Sequence, residues 1–330
     1  MVMKSKWRIR FLLSLTGVLL FVHAVQSQAQ SFPSRAVRIT TGLPVGSAPD
    51  VMLRVLAEKL SQEWKQPVIV DNRPGASGII AMEAAKKAAP DGHELHLADT
   101  TDLTINRHAY KKLPYDPVQD FVPVGMYFRA TFFMIVPATS PYKSVAELIA
   151  DAKSRPNAIN FGSFGVSNVT RLHMEIFAAS AGITMTNVPF RDTGALITSV
   201  ASGDVQVMMN SAASAAAGLQ SGKLRLLAVG APSRLGSHPA VPTVDEAGGP
   251  RLEATTWVGL IAPRGTPPAV VAKINADLNR ILASSKEIQE RFQVVGLQLA
   301  GGSPEEFAEA IRRDDQRFGS VIKRLNIQLD

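Results

Sequence analysis

Not one cysteine occurs among the 330 residues, so the chain has no disulfide, no thiol nucleophile and no cysteine to carry a lipid anchor. Aromatic residues are scarce, at 6%, and the basic residues are scattered. Neither the stacking platform nor the cationic stripe by which proteins hold nucleic acid is therefore available. The most apolar stretch, residues 11–22, is too short to span a bilayer comfortably. The chain also lacks a Gly-x-Ser-x-Gly elbow, which excludes the usual serine hydrolase signal. In His93-Glu94-Leu95-His96 the histidines are three apart on an expected strand, so they point to opposite faces and make no metal pair. The stretch from Gly218 to Lys223 falls one residue short of a phosphate loop, with Leu224 in the Ser/Thr position. His108, His173 and His238 stand alone in polar contexts, which suits surface or structural roles. No cofactor, metal site or catalytic residue is expected.

What is present begins with a leader. Lys4, Lys6, Arg8 and Arg10 precede the apolar run 11–22, and Ser27-Gln28-Ala29 offers the small residues that a signal peptidase requires. Residues 1–29 read as a signal peptide cleaved after Ala29, leaving Gln30 first in an exported, periplasmic protein. Its loss changes the charge: four of the 35 Lys and Arg residues lie in the leader and no acid does, so 31 basic against 28 acidic residues leave +3. About 300 mature residues can bury a large core without disulfides and suggest two domains.

Along the mature chain, β-branched runs alternate with helical patterns, and Gly/Ser/Asn-rich turns join them at 42–50, 72–78 and 163–170. Strands are expected at 36–41, 67–70 and 94–98, with helices at 49–64 and 78–88. A second series has helices at 145–154, 169–181, 194–201 and 212–220, with strands at 159–161, 185–188, 205–209 and 224–229. Such alternation implies βαβ units and mainly parallel sheets. The apolar run 121–136 and the segment 251–262 would carry the chain between two α/β domains. Helices at 268–283, 285–294 and 304–324 would return to the first, the last opened by Ser303-Pro304-Glu305-Glu306. Domain 1 is expected at 30–128 plus 252–330 and domain 2 at 129–251. Ligands of open α/β sheets bind outside the carboxyl ends of the strands, so the cleft between the lobes is the expected site. Turns that present backbone N–H groups and a helix N-terminus suit an anion.

Seven stretches between residues 71 and 267 carry a resemblance: Asp71-Asn72-Arg73-Pro74-Gly75-Ala76-Ser77-Gly78, Ala89-Pro90-Asp91-Gly92, residues 113–121 (LPYDPVQDF), Val188-Pro189-Phe190-Arg191, residues 221–225 (SGKLR), residues 242–248 (PTVDEAG), and Trp257-Val258-Gly259-Leu260 followed by residues 262–267 (APRGTP). In these, and over nearly all of its mature length, the chain resembles the periplasmic solute receptors of tripartite tricarboxylate transport systems, the Bug family. The resemblance implies a two-lobed periplasmic-binding-protein fold (type II-like), with two α/β domains joined by two hinge crossings. It also implies a monomeric receptor, not an enzyme, that captures a small carboxylate and delivers it to membrane permease subunits. A ligand sensor for a signalling partner, and an enzyme acting on a small acid, are the alternatives on the same fold.

The chain departs from the family where ligand would approach. Ser47 replaces one of two glycines after the first strand, adding a Cβ and a hydroxyl. Gln206 and Asn210 stand where relatives often carry aspartates; they share strand parity, and losing carboxylates there would disfavour a ligand ammonium. Arg171 takes a usual histidine position, where an arginine more often meets solvent or an acid than a ligand. The expected ligand-binding set is Leu43, Val45, Gly46, Ser47, Ala48, Ala76, Ser77, Thr100 and Thr101 from the first lobe. The second lobe would add Ser163, Gly165, Ser167, Asn168, Thr193, Gly194 and Asn210. Ser163, Ser167 and Asn168 would serve equally as ordinary helix caps, because capping and anion binding use the same helix end. Contacts from Arg171, Arg191 and Trp257 stay open. N-terminal sequencing of the exported protein is expected to begin at Gln30, and an intact Met1 on a membrane-bound protein would refute the leader.

Overall fold

Two mixed β-sheets, each flanked by helices, organise the chain in a computed structural model that describes residues 32–43, 45–164, 168–295 and 297–329. The leader and its cleavage site lie outside these residues. The chain divides into two units, residues 1–34 and 35–330, and the second holds every strand and helix described here.

The first sheet begins as expected: β1 (Val37–Thr41) pairs in parallel with β2 (Val68–Asn72) and with β3 (Glu94–Asp99). Between β1 and β2 runs α1 (Ala48–Trp64), which buries Met52, Leu53, Leu56, Leu60 and Trp64 at helical spacing. A left-handed turn at Ala76–Gly78 leads into α2 (Ile79–Lys86), and β3 runs into a π-helical turn, Thr101–Ile105, and the short α3 (Asn106–Ala109). The sheet is completed by antiparallel strands: β4 (Phe121–Thr131), β10 (Thr255–Pro263) and β11 (Gln298–Gly301), in the order β11-β4-β10-β3-β1-β2.

The second sheet has the order β7-β6-β8-β5-β9. Its strands are β5 (Phe133–Pro137), β6 (Asn160–Phe164), β7 (Thr186–Phe190), β8 (Val207–Asn210) and β9 (Leu224–Val229). Strands β7 and β8 flank β6 in parallel, while β5 is antiparallel to both β8 and β9. Helices α4 (Val145–Ser154), α5 (Val169–Ala181), α6 (Thr193–Ser202) and α7 (Ala216–Gln220) connect them. Helices α8 (Pro268–Ser284), α9 (Lys286–Val295) and α10 (Pro304–Arg324) follow β10 and pack on the first sheet's side.

The sheets are mixed rather than mainly parallel because the crossing strands enter each sheet against the direction of the βαβ strands. Helix α7 is also shorter than expected: Ser211 Oγ accepts the Ser214 N–H, so side-chain bonding holds residues 211–214 in a turn despite the alanine-rich sequence. Strand β11 was not expected, since four residues give too little alternation to read.

Two buried indole-to-carboxylate hydrogen bonds tie helices to the core. Trp64 Nε1 donates to Asp277 of α8 and Trp257 Nε1 to Asp314 of α10, each at 2.7 Å. Bonds of this charge-assisted kind contribute about 1.5–3 kcal/mol apiece. Trp257 also meets Phe307 edge to face at 5.2 Å, so it belongs to the first lobe's core and not to the cleft.

The crossings lie at Phe132 and Ala254, where three backbone hydrogen bonds form a triangle. Phe132 N donates to Ala254 O, Ala254 N to Gly230 O, and Gly230 N to Phe132 O, at 2.8, 2.8 and 2.9 Å. Beside it His173 of α5 donates from Nε2 to Thr255 O at 3.1 Å and stacks edge-on with Phe132 and with Phe318 of α10. Burial, with the Arg317 charge nearby, pushes its pKa down to about 3, so the ring is neutral. A Cβ on Gly230 would stand 2.6 Å from Ala254 Cβ and 3.3 Å from Phe132 O. Gly230→Val is therefore expected to destabilise the protein by about 1–3 kcal/mol, read as a lowered melting temperature; an unchanged melt would show that the crossing tolerates a side chain.

Candidate functional site

A cavity of about 590 Å³ opens between the two sheets, at the carboxyl ends of parallel strands from both. The first lobe contributes Thr41, Gly42 and Leu43 after β1, Pro74 to Gly78 after β2, and Leu97, Asp99, Thr101 and Asp102 from the end of β3, with Val258 of β10 beside them. Phe164 and Asn168 follow β6, and Pro189, Phe190 and Arg191 end β7. A groove of similar volume beside His108 and Asp315 lies along α10, away from the strand ends.

The floor is a strained left-handed turn. Gly75, Ala76, Ser77 and Gly78 all have positive φ, at 127°, 48°, 52° and 85°. For Ala76 and Ser77 this costs about 1–2 kcal/mol each. Gly78 has no alternative, because a Cβ there would meet Asp102 Oδ1 at 2.0 Å. The turn's carbonyls are engaged: Gly75 O accepts from Gly78 N, Ala76 O from Ile79 N and Ser77 O from Asn106 Nδ2. Asn106 also donates to Tyr115 Oη at 3.2 Å, and that hydroxyl donates to Asp102 O at 2.7 Å. The 113–121 motif thus supports the floor from behind, its buried Tyr115 holding two parts of the cavity wall in register.

Asp99 and Asp102 face the cavity together. Asp102 Oδ2 accepts the Asp99 N–H at 3.1 Å and Asp99 Oδ1 accepts the Asp102 N–H at 3.0 Å. Burial raises the pKa of both; the Asp99 charge pushes Asp102 further up, while backbone N–H groups restrain the rise at Asp99. Thr101 between them is 3% exposed, and its hydroxyl lies near Asp99 without a bond of proper geometry to any described residue. On the opposite lobe Arg191 is exposed, has no ion-pair partner among the described residues, and is the single cation among the described cavity residues.

Of the residues expected at the site, Leu43, Ala76, Ser77, Thr101 and Asn168 meet at this cavity. Gly165 and Ser167 lie outside the described residues. Asn168 caps α5, accepting the Thr170 N–H at 3.0 Å, so capping and cavity lining coincide there. Val45 and Gly46 form the turn before α1 and Ser47 is its N-cap residue, and none of these three lines the cavity; Ala48 is the first residue of the helix. The positive end of α1 already holds a carboxylate. Asp50 accepts from Gly46 N, Asn72 Nδ2 and Arg54; burial alone would raise its pKa, but these partners, led by the Gly46 N–H, hold it below the usual value. Asp192 likewise caps α6, accepting the Ala195 N–H at 2.8 Å just ahead of Thr193 and Gly194.

Three further expected residues serve the framework. Thr100 is fully buried and its hydroxyl accepts from Trp257 N on β10. Ser163 Oγ donates to Asn187 Oδ1. Asn210 turns back on its own chain, where Oδ1 accepts the Ser211 N–H. Gln206 lies at the opposite end of β8 and bonds Asn160 N and Gly203 O. These two amides do not line the cavity, so they give no reason to disfavour a ligand ammonium. Arg171 pairs with Glu175 at 3.3 Å. Sequence reasoning missed Asp99 and Asp102, for which two acids three apart immediately after a buried strand were the available signal, and left Arg191 open.

The family model described as a tripartite tricarboxylate transporter family receptor matches residues 52–327. Among known proteins, the chain is 33% identical over 312 residues to a protein of Pseudomonas sp. (strain P51) encoded in the tcbD-tcbE intergenic region, covering 93% of this chain and 92% of that one. It is 29% identical over 321 residues to protein BugT of Bordetella pertussis, covering 96% and 98%. Among solved structures it is similar to R. palustris Rpa4515 with adipate, at TM-score 0.82 and 29% identity over 90% of this chain and all of that one. MatC of Rhodopseudomonas palustris with bound malate gives TM-score 0.78 at 28% identity, over 88% of this chain and all of that one. The two-sheet architecture is thus the two-lobed periplasmic-binding-protein fold.

Tyr115→Phe is expected to cost about 1–3 kcal/mol by leaving Asp102 O and the Asn106 amide short of a partner. Thermal unfolding measures it, and a neutral change would show that the floor does not depend on this hydroxyl.

Proposed function

Because the chain belongs to the tripartite tricarboxylate transporter receptor family, we propose that it is an exported solute receptor which holds a small carboxylate between its lobes and delivers it to the membrane subunits of a transporter. The observation that carries this reading is Arg191, exposed and without an ion-pair partner among the described residues, in the lining of a cavity bounded by the strand ends of both sheets. A guanidinium without an internal partner is available for a carboxylate, and the two bonds it can donate suit that group. The left-handed turn at Ala76–Gly78 offers backbone N–H donors from the other lobe, and Asn168 a side-chain amide. Relatives with adipate and malate support an organic acid as ligand.

The lobes are residues 35–131 with 255–329, and 133–253, hinged at the backbone triangle. Closing them around the ligand brings Arg191 toward the turn and forms a composite surface for a permease to read. The receptor is a monomer released from its leader after Ala29. A signalling sensor could read the same closed form; finding genes for a large and a small membrane subunit beside this one would decide for transport. An enzyme on this fold needs a reacting group in the cleft. Asp99 and Asp102 are the acids there, each engaged by the other's backbone N–H, and recognition accounts for them without turnover.

Mass spectrometry of the purified protein is expected to recover a carboxylate. Adipate and malate serve as probes in calorimetry, together with the recovered compound. Arg191→Ala should weaken whichever binds by about ten- to hundred-fold, the worth of one charge-assisted pair. Binding unaffected by this change in a well-folded variant would remove the cavity as the site, and chemical conversion of the ligand would reopen the enzyme reading.

A further inference from the structure

Within the cavity the charges are unevenly divided. Arg191 is the one cation that the described residues of the second lobe bring to it, while the first lobe presents two carboxyl groups, Asp99 and Asp102, with the buried Thr101 hydroxyl beside Asp99. Each acid spends one oxygen on the other's backbone N–H, at 3.0 and 3.1 Å, and has a further oxygen unclaimed by side chains of opposite charge. No lysine, arginine or histidine lines this lobe's share of the cavity among the described residues. A plain dicarboxylate, extended from Arg191, would bring its second negative group against this pair. The pair shares its negative charge, since the Asp99 charge pushes Asp102 up, and even one such charge repels a second carboxylate in a partly desolvated pocket. A group that donates hydrogen bonds and carries positive charge meets the opposite situation: two acceptors, and a hydroxyl oxygen that needs a donor.

We propose that the ligand is a zwitterionic carboxylate of the amino-acid class, with its carboxylate on Arg191 and its ammonium on Asp99, Asp102 and Thr101. This rests on the cavity being the ligand site. The acids are then specificity residues: they select against simple diacids by repulsion as much as they attract an amine. Reciprocal carboxylate-to-backbone bonds orient them, so the pair is formed before ligand arrives and little ordering is lost on binding.

The test titrates the mature, dialysed protein with matched pairs that differ only in the amine: L-glutamate and glutarate, L-aspartate and succinate, 5-aminopentanoate and pentanoate. In at least one pair the amine-bearing member is expected to bind at least about ten-fold tighter, the factor of one charge-assisted hydrogen bond. Asp99→Asn and Asp102→Asn keep a carbonyl oxygen for the backbone N–H groups, so a purely structural role would leave that ratio untouched. The expected result is that the ratio collapses toward one while the melting temperature holds. Arg191→Ala should weaken both members of a pair and preserve the ratio. The inference is overturned if no amine-bearing member binds, if amine-free members bind as tightly, or if the preference survives both asparagine variants. Recovery of a co-purified diacid without an amine would overturn it equally, while leaving the carboxylate receptor intact. A preference that persists together with indifference to Arg191→Ala would instead refute the cavity as the site.

Discussion

Three backbone hydrogen bonds among Phe132, Gly230 and Ala254 fix the point where the two lobes meet, on which the placement of the cavity depends. They join the only points at which β4 becomes β5 and the chain returns from β9 to β10 among the described residues. With the His173 contacts to Thr255 and Phe318 beside them, they tie the two sheets together at the crossings. The triangle requires close backbone approach, which is why residue 230 is glycine and residue 254 is alanine. It also explains the mixed sheets. β4 runs on into β5 across Phe132, and β4, β5 and β10 all lie antiparallel to strands of the βαβ units or to one another.

The cavity is the second consequence of this arrangement. With the sheets joined through β4, β5 and β10, the carboxyl ends of β1, β2, β3, β6 and β7 face a common space. The residues that shape it are seldom those that fill it. Tyr115, Asn106 and the Asp50–Asn72 pair are buried or turned aside, and they act on the wall through the carbonyls of Asp102, Ser77 and Leu43. Much of what makes the 71–78 and 113–121 stretches recognisable is this supporting chemistry, in which each side chain satisfies a backbone group that would otherwise face an apolar wall.

Helical periodicity was legible to the residue at Val145–Ser154, Val169–Ala181 and Pro304–Arg324, where caps and apolar spacing agree. The family resemblance carried the fold. The site was less legible, for two physical reasons. First, Thr100 and Thr101 were both nominated after β3, yet the chain coils there into the π-helical turn, and successive residues of a coil project in different directions; Thr100 turns to β10 while Thr101 and Asp102 face the cavity. A polar run reading Ala-Asp-Thr-Thr-Asp does not reveal which member turns inward. Second, helix N-termini were treated as free for ligand, but Asp50 and Asp192 already satisfy those of α1 and α6. That signal was present in the sequence, since an acid at the cap or in the first turn is the helix's own anion. Arg191 could not be told from any surface arginine until the absence of an acid beside it was visible.

The stack of Phe132, His173 and Phe318 has a mechanical meaning. It fastens α5 of one lobe to α10 of the other among residues that do not line the cavity, with ring centroids 5.5 and 5.7 Å apart. Edge-on aromatic contacts slide poorly but rock easily, and a neutral imidazole brings no charge that water would pull out. The stack therefore behaves as a greased bearing: it resists translation of one lobe past the other and leaves rocking about its own axis as the soft motion. Displacement grows with distance from such an axis, so a few degrees at His173 are magnified at the cavity mouth, and the entrance moves most while the joint stays dry.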